Sequence, residues 1–415
     1  MTTLYLPPLT LYVHLPWCVR KCPYCDFNSY TLAGPLQEDR YVARLLDDLE
    51  VQAPQAAGRL IETVFLGGGT PSLFSPRAIG RLLEGARRRV TLAADAEVTM
   101  EANPGTIERG AFTEYRAAGI NRVSLGAQSF AAEALQRLGR IHSPAETQRA
   151  AAELHAAGLD NFNLDLMYAL PGQDVPAALT DIDAALALAP AHLSHYQLTL
   201  EPGTVFAAQA PALPADDVAA AMLEACTDRL ARAGLRQYEV SAYARPGNEC
   251  GHNLNYWTFG DYLGIGAGAH GKLTFPERDE IVRTVHTREP RRYLAGGGPV
   301  LRSVPRAERA FEFMLNALRL CEGFGADLFE GRTGLPWNAA AVALASAAAK
   351  GLVLCGASGC RPTPLGLRFL NEMLLVFLPE MSEKSGKSGL STGRAHAAPG
   401  RAESLFTGVG ALGQE

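Results

Sequence analysis

From residue 11 to about residue 243, short runs of β-branched, aromatic and aliphatic residues alternate with longer Ala-, Leu- and Arg-rich segments. The apolar runs are Leu11–Leu15, Ile61–Leu66, Ala96–Glu101, Arg122–Leu125, Phe162–Met167, Leu193–Leu200 and Tyr238–Tyr243. They have the length of strands, and the segments between them are long enough for helices. Alternation of this kind predicts parallel pairing through helical crossovers. Helix starts are marked by Ser75-Pro76 and by Ser143-Pro144-Ala145-Glu146. In both, Ser caps and Pro fits the first turn, and Glu146 can complete a capping box. Gly119, Gly158 and Gly234 each follow Ala and precede an apolar residue, the place where a left-handed residue ends a helix. Roughly six or seven such units fall short of a closed eightfold barrel. The predicted fold is therefore α/β, an incomplete (β/α)6-type TIM barrel, with a doubly wound sheet as the alternative.

After Tyr243 the pattern changes. Gly-rich stretches at 264–271 and 296–299 lead to helical segments at 308–320 and 337–350. The expected organisation is a core domain over 1–245, a smaller, mostly helical C-terminal domain over 246–380 and a tail over 381–415. The Ser-, Gly- and Ala-rich tail has too few apolar residues for a core and is expected to be disordered. With 415 residues, 47% of them hydrophobic, the chain can support one large core and a second, smaller one.

Charge narrows the range of partners. A formal net charge of -5 and a pI near 6.0 do not favour a nucleic-acid backbone or an anionic membrane. The runs Arg87–Arg89 and Arg288–Arg292 are short and lack interleaved aromatics, so both read as solvated surface. No window approaches the ~20 apolar residues of a transmembrane helix, and the first eight residues lack a basic segment followed by an apolar one. A cytoplasmic location is expected, as a monomer or homodimer. The eight cysteines fall as one tight triplet and five scattered residues, Cys226, Cys250, Cys321, Cys355 and Cys360, unlike the dense framework of a small secreted domain.

The triplet is Cys18, Cys22 and Cys25, at C-x3-C-x2-C spacing in the loop after the first predicted strand. Four-iron clusters usually take four protein thiolates, so three leave one iron open to a non-protein ligand. Two other readings stand beside this one. The triplet also reads as a zinc knuckle or three buried free thiols, and Cys22-Pro23-Tyr24-Cys25 as a C-x-x-C redox pair. The second strand runs into Gly67-Gly68-Gly69-Thr70, where missing side chains let a ligand approach the backbone. Glu101, Gln128, Asp165 and Glu201 fall on or just past the ends of later strands, the face on which barrel enzymes assemble their sites.

These stretches resemble the radical-SAM superfamily, and within it the branch that holds the oxygen-independent coproporphyrinogen oxidase HemN and the haem chaperone HemW. The resemblance runs over roughly residues 9–379. It rests on Leu11–Cys18, Cys22–Ser29, Gly67–Ser72, Glu101–Gly105, Gly126–Phe130, Leu138–His142 and Asn163–Leu166. It implies that Cys18, Cys22 and Cys25 hold a 4Fe-4S cluster and that Gly68, Gly69 and Thr70 contact the methionyl end of S-adenosyl-L-methionine (SAM). It also implies that Tyr12 and Tyr24 line the site, with Glu101, Gln128, Arg140 and Asp165 around the rest of the cofactor.

Two features separate the branches. The oxidase branch has a fourth cysteine two positions after the third, where this chain has Phe27. His252-Asn253-Leu254-Asn255-Tyr256-Trp257 matches an H-N-x-x-Y-W element associated with haem binding in the chaperone family, which implies His252 as a haem ligand. Cys250 is a second potential iron ligand, with buried packing the plainer reading. The implied function is a haem chaperone that passes haem to apo-haemoproteins such as respiratory enzymes. Two alternatives remain: oxidative decarboxylation of coproporphyrinogen III by a 5'-deoxyadenosyl radical, and dithiol oxidoreduction by Cys22 and Cys25.

Overall fold

The computed structural model describes residues 3–105 and 111–378; the expected tail over 381–415 lies outside the described residues. Six parallel strands form the centre of the fold in chain order: β1 (Leu9–Leu15), β2 (Leu60–Gly68), β3 (Thr91–Ala102), β4 (Arg122–Gln128), β5 (Phe162–Tyr168) and β6 (His192–Gln197). All seven residues of β1 and of β4 are buried, as expected of parallel strands covered on both faces. The main crossover helices are α1 (Glu38–Ala56), α2 (Pro76–Arg87), α3 (Phe112–Ala118), α4 (Pro144–Ala156) and α5 (Val175–Ala187). Ser75 accepts from Ala78 N, and Ser143 and Glu146 form the reciprocal capping box. The fold is an incomplete (β/α) barrel.

The last predicted strand, Tyr238–Tyr243, is instead a turn between two short strands. β7 (Arg236–Glu239) and β8 (Ala242–Ala244) form a hairpin, and β8 runs antiparallel to β6. The sheet also runs on past residue 245. The helix α6 (Gly251–Trp257) leads into β9 (Asp261–Ile265), which joins β1 in parallel on its free edge. Three antiparallel strands follow: β10 (His270–Phe275), β11 (Glu280–Val285) and β12 (Val300–Ser303). The strand order is β12-β11-β10-β9-β1-β2-β3-β4-β5-β6-β8-β7.

Beyond β12 the chain becomes mostly helical, with α7 (Arg309–Ala317), α8 (Ala326–Thr333) and α9 (Ala341–Ala349). A small sheet joins them, made of β13 (Phe324–Gly325), β14 (Val353–Gly356) and β15 (Gly359–Pro362). Cys355 and Cys360 face each other across β14 and β15 and are disulfide-bonded. This region has its own core, with Phe313, Phe329 and Met373 packed together with Leu4, Phe259 and Ile281. Among the described residues no helix is long and apolar enough to cross a membrane.

Candidate functional site

The three thiols lie on the loop after β1, which a short parallel ladder of Trp17–Cys18 with Tyr30–Thr31 pins at both ends. Inside the loop, Lys21 Nζ donates to the carbonyls of Phe27 (2.9 Å) and Ser29 (3.2 Å). All three cysteines are half-buried and free. Each sulfur has a different side-chain partner. Thr70 Oγ1 donates to Cys18 Sγ (3.5 Å) and Arg140 Nη1 to Cys22 Sγ (3.6 Å), while Ser29 Oγ lies 3.7 Å from Cys25 Sγ.

Hydrogen bonds of this kind favour the thiolate and tune cluster sulfurs. Burial outweighs them, raising the Cys18 thiol above its ordinary value and pushing Cys25 up to about 11. A bound cation reverses that balance. The sulfurs do not converge on a single-ion position among the described residues. Three free thiols on one loop, each with a hydrogen-bonding side chain at its sulfur, are the donor set a three-cysteine cluster requires.

Arg140 ties the site together. Its Nη2 donates to Asn103 Oδ1 and to Gly126 O (2.8 Å), and Asn103 Nδ2 donates to Thr70 Oγ1 (2.8 Å). Cys22 and Cys18 are thus linked through Arg140, Asn103 and Thr70. Burial works against the Arg140 charge, but Tyr24 and Cys22 beside it outweigh that effect and raise its pKa. Tyr24 packs against Phe206, and burial pushes its phenol above the usual range.

The glycine turn is required by packing within the protein. Gly68 has φ +108°, and a Cβ there would sit 2.3 Å from the His14 ring. On Gly69 a Cβ would sit 2.7 Å from the backbone of Trp17. In the direction a side chain would take, these two glycines meet His14 and Trp17. His14 Nε2 bonds the Asn28 carbonyl at 3.0 Å and so carries the proton, while Nδ1 accepts from Tyr12 OH at 3.0 Å. Burial lowers the His14 pKa to about 4 and keeps the ring neutral. Tyr12 is therefore buried and joined through His14 to the cysteine loop.

The remaining candidates lie on the same sheet. Glu101, one residue before the end of β3, accepts from Gly68 N (3.1 Å). Gln128 ends β4 with φ +66°, and its Oε1 accepts from Tyr196 OH (2.6 Å). Asp165, midway along β5, accepts from Ser124 Oγ (3.0 Å) and Asn163 Nδ2 (2.7 Å), and burial raises its pKa.

His252 borders this group at Tyr12, the two ring centroids lying 6.4 Å apart. It lies on α6 against Thr63, five residues before Gly68 along β2, which is about 17 Å of strand. Nδ1 bonds Thr63 Oγ1 (2.6 Å) and Nε2 bonds Tyr256 OH (2.9 Å), so both ring nitrogens are engaged. The residue is 1% exposed, and burial lowers its pKa to about 3. Cys250 is also buried, with Sγ 3.6 Å from Glu97 Oε1.

Sequence reasoning assigned no role to Ser29, Asn103, His14 or Asn28. Asn28 fastens the cysteine loop by donating to the carbonyls of Ala267 (2.8 Å) and Arg288 (2.9 Å). Those partners are more than 230 residues away, and no local pattern reports them.

Comparison with known proteins agrees with this architecture. The Radical SAM superfamily model matches residues 12–185, and the HemN C-terminal domain model matches residues 304–369. The "Heme chaperone HemW" of Escherichia coli K12 is 50% identical over 90% of this chain and 99% of its own length. The Haemophilus influenzae protein of the same name is 46% identical with the same coverage. A mouse protein, "Radical S-adenosyl methionine domain-containing protein 1, mitochondrial", is 36% identical over 90% of this chain and 88% of its own. Among solved structures, the coproporphyrinogen III oxidase HemN of E. coli superposes with a TM-score of 0.75 at 24% identity, covering 90% of each chain. At that identity the likeness speaks for the fold.

Proposed function

The chain belongs to the HemW family of radical SAM proteins, and from that premise we propose that it binds haem and passes it to apo-haemoproteins such as respiratory enzymes. It would carry a 4Fe-4S cluster on Cys18, Cys22 and Cys25 and SAM beside it. The observation that carries this reading is kinship to a chaperone over nearly that protein's whole length, at 50% identity. Phe27 supports it, since the oxidase branch has a thiol at that position.

A cluster with SAM on its open iron supplies one-electron reductive chemistry. This chain's own residues would shape the surroundings. Thr70, Arg140 and Ser29 hold donors at the three sulfurs. Gly68, Gly69 and Thr70 would border the methionyl end, and Glu101 and Asp165 offer acceptors for ribose hydroxyls or an ammonium. Gln128, Tyr12 and Tyr24 would complete the walls. His252 could reach iron only after leaving Thr63 and Tyr256; as placed, it ties α6 to β2. We further propose that the protein acts in the cytoplasm, as a monomer or homodimer, without nucleic-acid partners.

The test is haem titration of anaerobically reconstituted protein, with coproporphyrinogen III, SAM and a reductant assayed in the same sample. Saturable haem binding without protoporphyrinogen formation is expected. Conversion of coproporphyrinogen III would overturn the chaperone reading.

A further inference from the structure

A cavity of about 400 Å³ opens beside the cysteine loop, between residues 21–30 and residues 287–292. Small-molecule sites span roughly 300–1,000 Å³. Its wall carries Lys21, Arg288 and Arg292 against one carboxylate, Glu289, together with the rings of Phe27 and Tyr30. In a chain of net charge -5, three cations around one concavity make a local reversal of sign. Such a wall selects anions, and the two guanidiniums suit planar carboxylates in particular.

The wall is held in place from several sides. The Arg288 carbonyl accepts from Asn28 Nδ2 (2.9 Å) and Tyr30 OH (3.1 Å), which fixes the two lips to each other. Tyr293 OH donates to the buried Asp48 Oδ2 (2.7 Å), anchoring the 287–292 segment to α1. Lys21 spends two of its three N–H donors on the Phe27 and Ser29 carbonyls, which leaves one for a ligand. Arg292 reaches the wall with 78% of its side chain exposed, and among the described residues its only ion-pair partner is Glu289 at 2.9 Å. Phe27 stands where the oxidase branch has its fourth thiol, so the change that separates the two branches is also a change in this wall.

We propose that this cavity receives the propionate edge of haem. The carboxylates sit against Arg288 and Arg292, with Lys21 within reach, and the edge of the macrocycle lies on Phe27 and Tyr30. The inference rests on the reading that the chain binds haem. It moves the binding site from His252 to the cysteine loop, and it gives a function to basic residues that read in the sequence as solvated surface.

The test compares ferric haem and its propionate dimethyl ester, titrated into anaerobically reconstituted parent protein and the Arg288→Glu/Arg292→Glu variant. The variant should bind haem at least ~10-fold more weakly. The ester should bind parent and variant alike, as weakly as haem binds the variant. Iron and sulfide content of the Arg292→Glu single variant should match the parent. Arg292→Glu alone, at an exposed position, should weaken haem roughly threefold and serves if the double variant fails to fold. Parent-like haem affinity in the variants, or an ester as tight as haem on the parent, overturns this site and leaves the chaperone reading standing. A parent protein that binds no haem overturns both.

Discussion

Arg140 donates at once to Cys22 Sγ, to Asn103 and to the Gly126 carbonyl, so its removal should be felt in two separate measurements. Arg140→Met should lower thermal stability by about 1–3 kcal/mol, because buried acceptors lose their donor. It should also lower the reduction potential of the reconstituted cluster, since a cation beside sulfur favours the more negative, reduced state. An unchanged potential in an EPR-monitored redox titration would show that Arg140 does not face the cluster. Gly68→Ala places a Cβ 2.3 Å from His14 at a φ of +108°. It should cost about 1–3 kcal/mol and reduce bound iron together with stability, because His14 holds the cysteine loop through Asn28. Iron content and melting temperature measured on one sample check this. His252→Ala should cost about 2–4 kcal/mol by removing the buried ring that bonds Thr63 and Tyr256, with an unaltered haem spectrum. A changed spectrum would return His252 to the haem site. The cysteine triplet stands out in the sequence because its three thiols lie within eight residues. Two of the donors at its sulfurs, Thr70 and Arg140, and the Asn103 that links them, are brought together only by the barrel.

At the level of elements, the sheet depends on how β9 docks beside β1. Asp261 opens β9 with a buried carboxylate that accepts from Arg59 (2.9 Å), Lys272 (2.8 Å), and both Thr274 N (2.9 Å) and Thr274 Oγ1 (2.8 Å). Asp261→Asn keeps the shape and removes the charge, leaving Lys272 buried without its counterion. It should cost about 3–5 kcal/mol, and a melting temperature within a degree of the parent would refute that role. The six parallel strands and their helix caps were readable because each spans a single apolar run between a start and a stop signal. The Gly-rich stretch 264–271, read in the sequence only as leading to helical segments, ends β9 and opens β10, because glycine also serves close approach. A Cβ on Gly264 would lie 1.7 Å from the His270 carbonyl, so this glycine belongs to a strand packed tightly on its neighbour. Tyr238–Tyr243 read as one strand because its turn is made by Val240 and Ser241, without glycine or proline.

Across the whole molecule, burial sets the response to acid. It lowers His14, His142 and His270 to about 4 and His195 and His252 to about 3, and it lowers His192 and His286 as well. Each is neutral when folded and titrates near 6.5 when unfolded. The unfolded chain therefore binds more protons below pH ~6.5, and stability present above that value is lost as pH falls toward the folded pKa values. Asp26, Asp165 and Asp181, raised by burial, act in the opposite sense at lower pH but are fewer. The melting temperature should hold from pH 7.5 to 6.5 and drop steeply by pH 5.5, and a flat profile would contradict the buried-histidine account. Transfer tests the central claim most directly. Reconstituted protein loaded with one equivalent of haem is mixed with an apo-haemoprotein while the Soret band is followed. Growth of the acceptor's holo spectrum, faster than from free haem at equal concentration, is the predicted result. Retention of haem by this chain, or transfer no faster than from free haem, would contradict it.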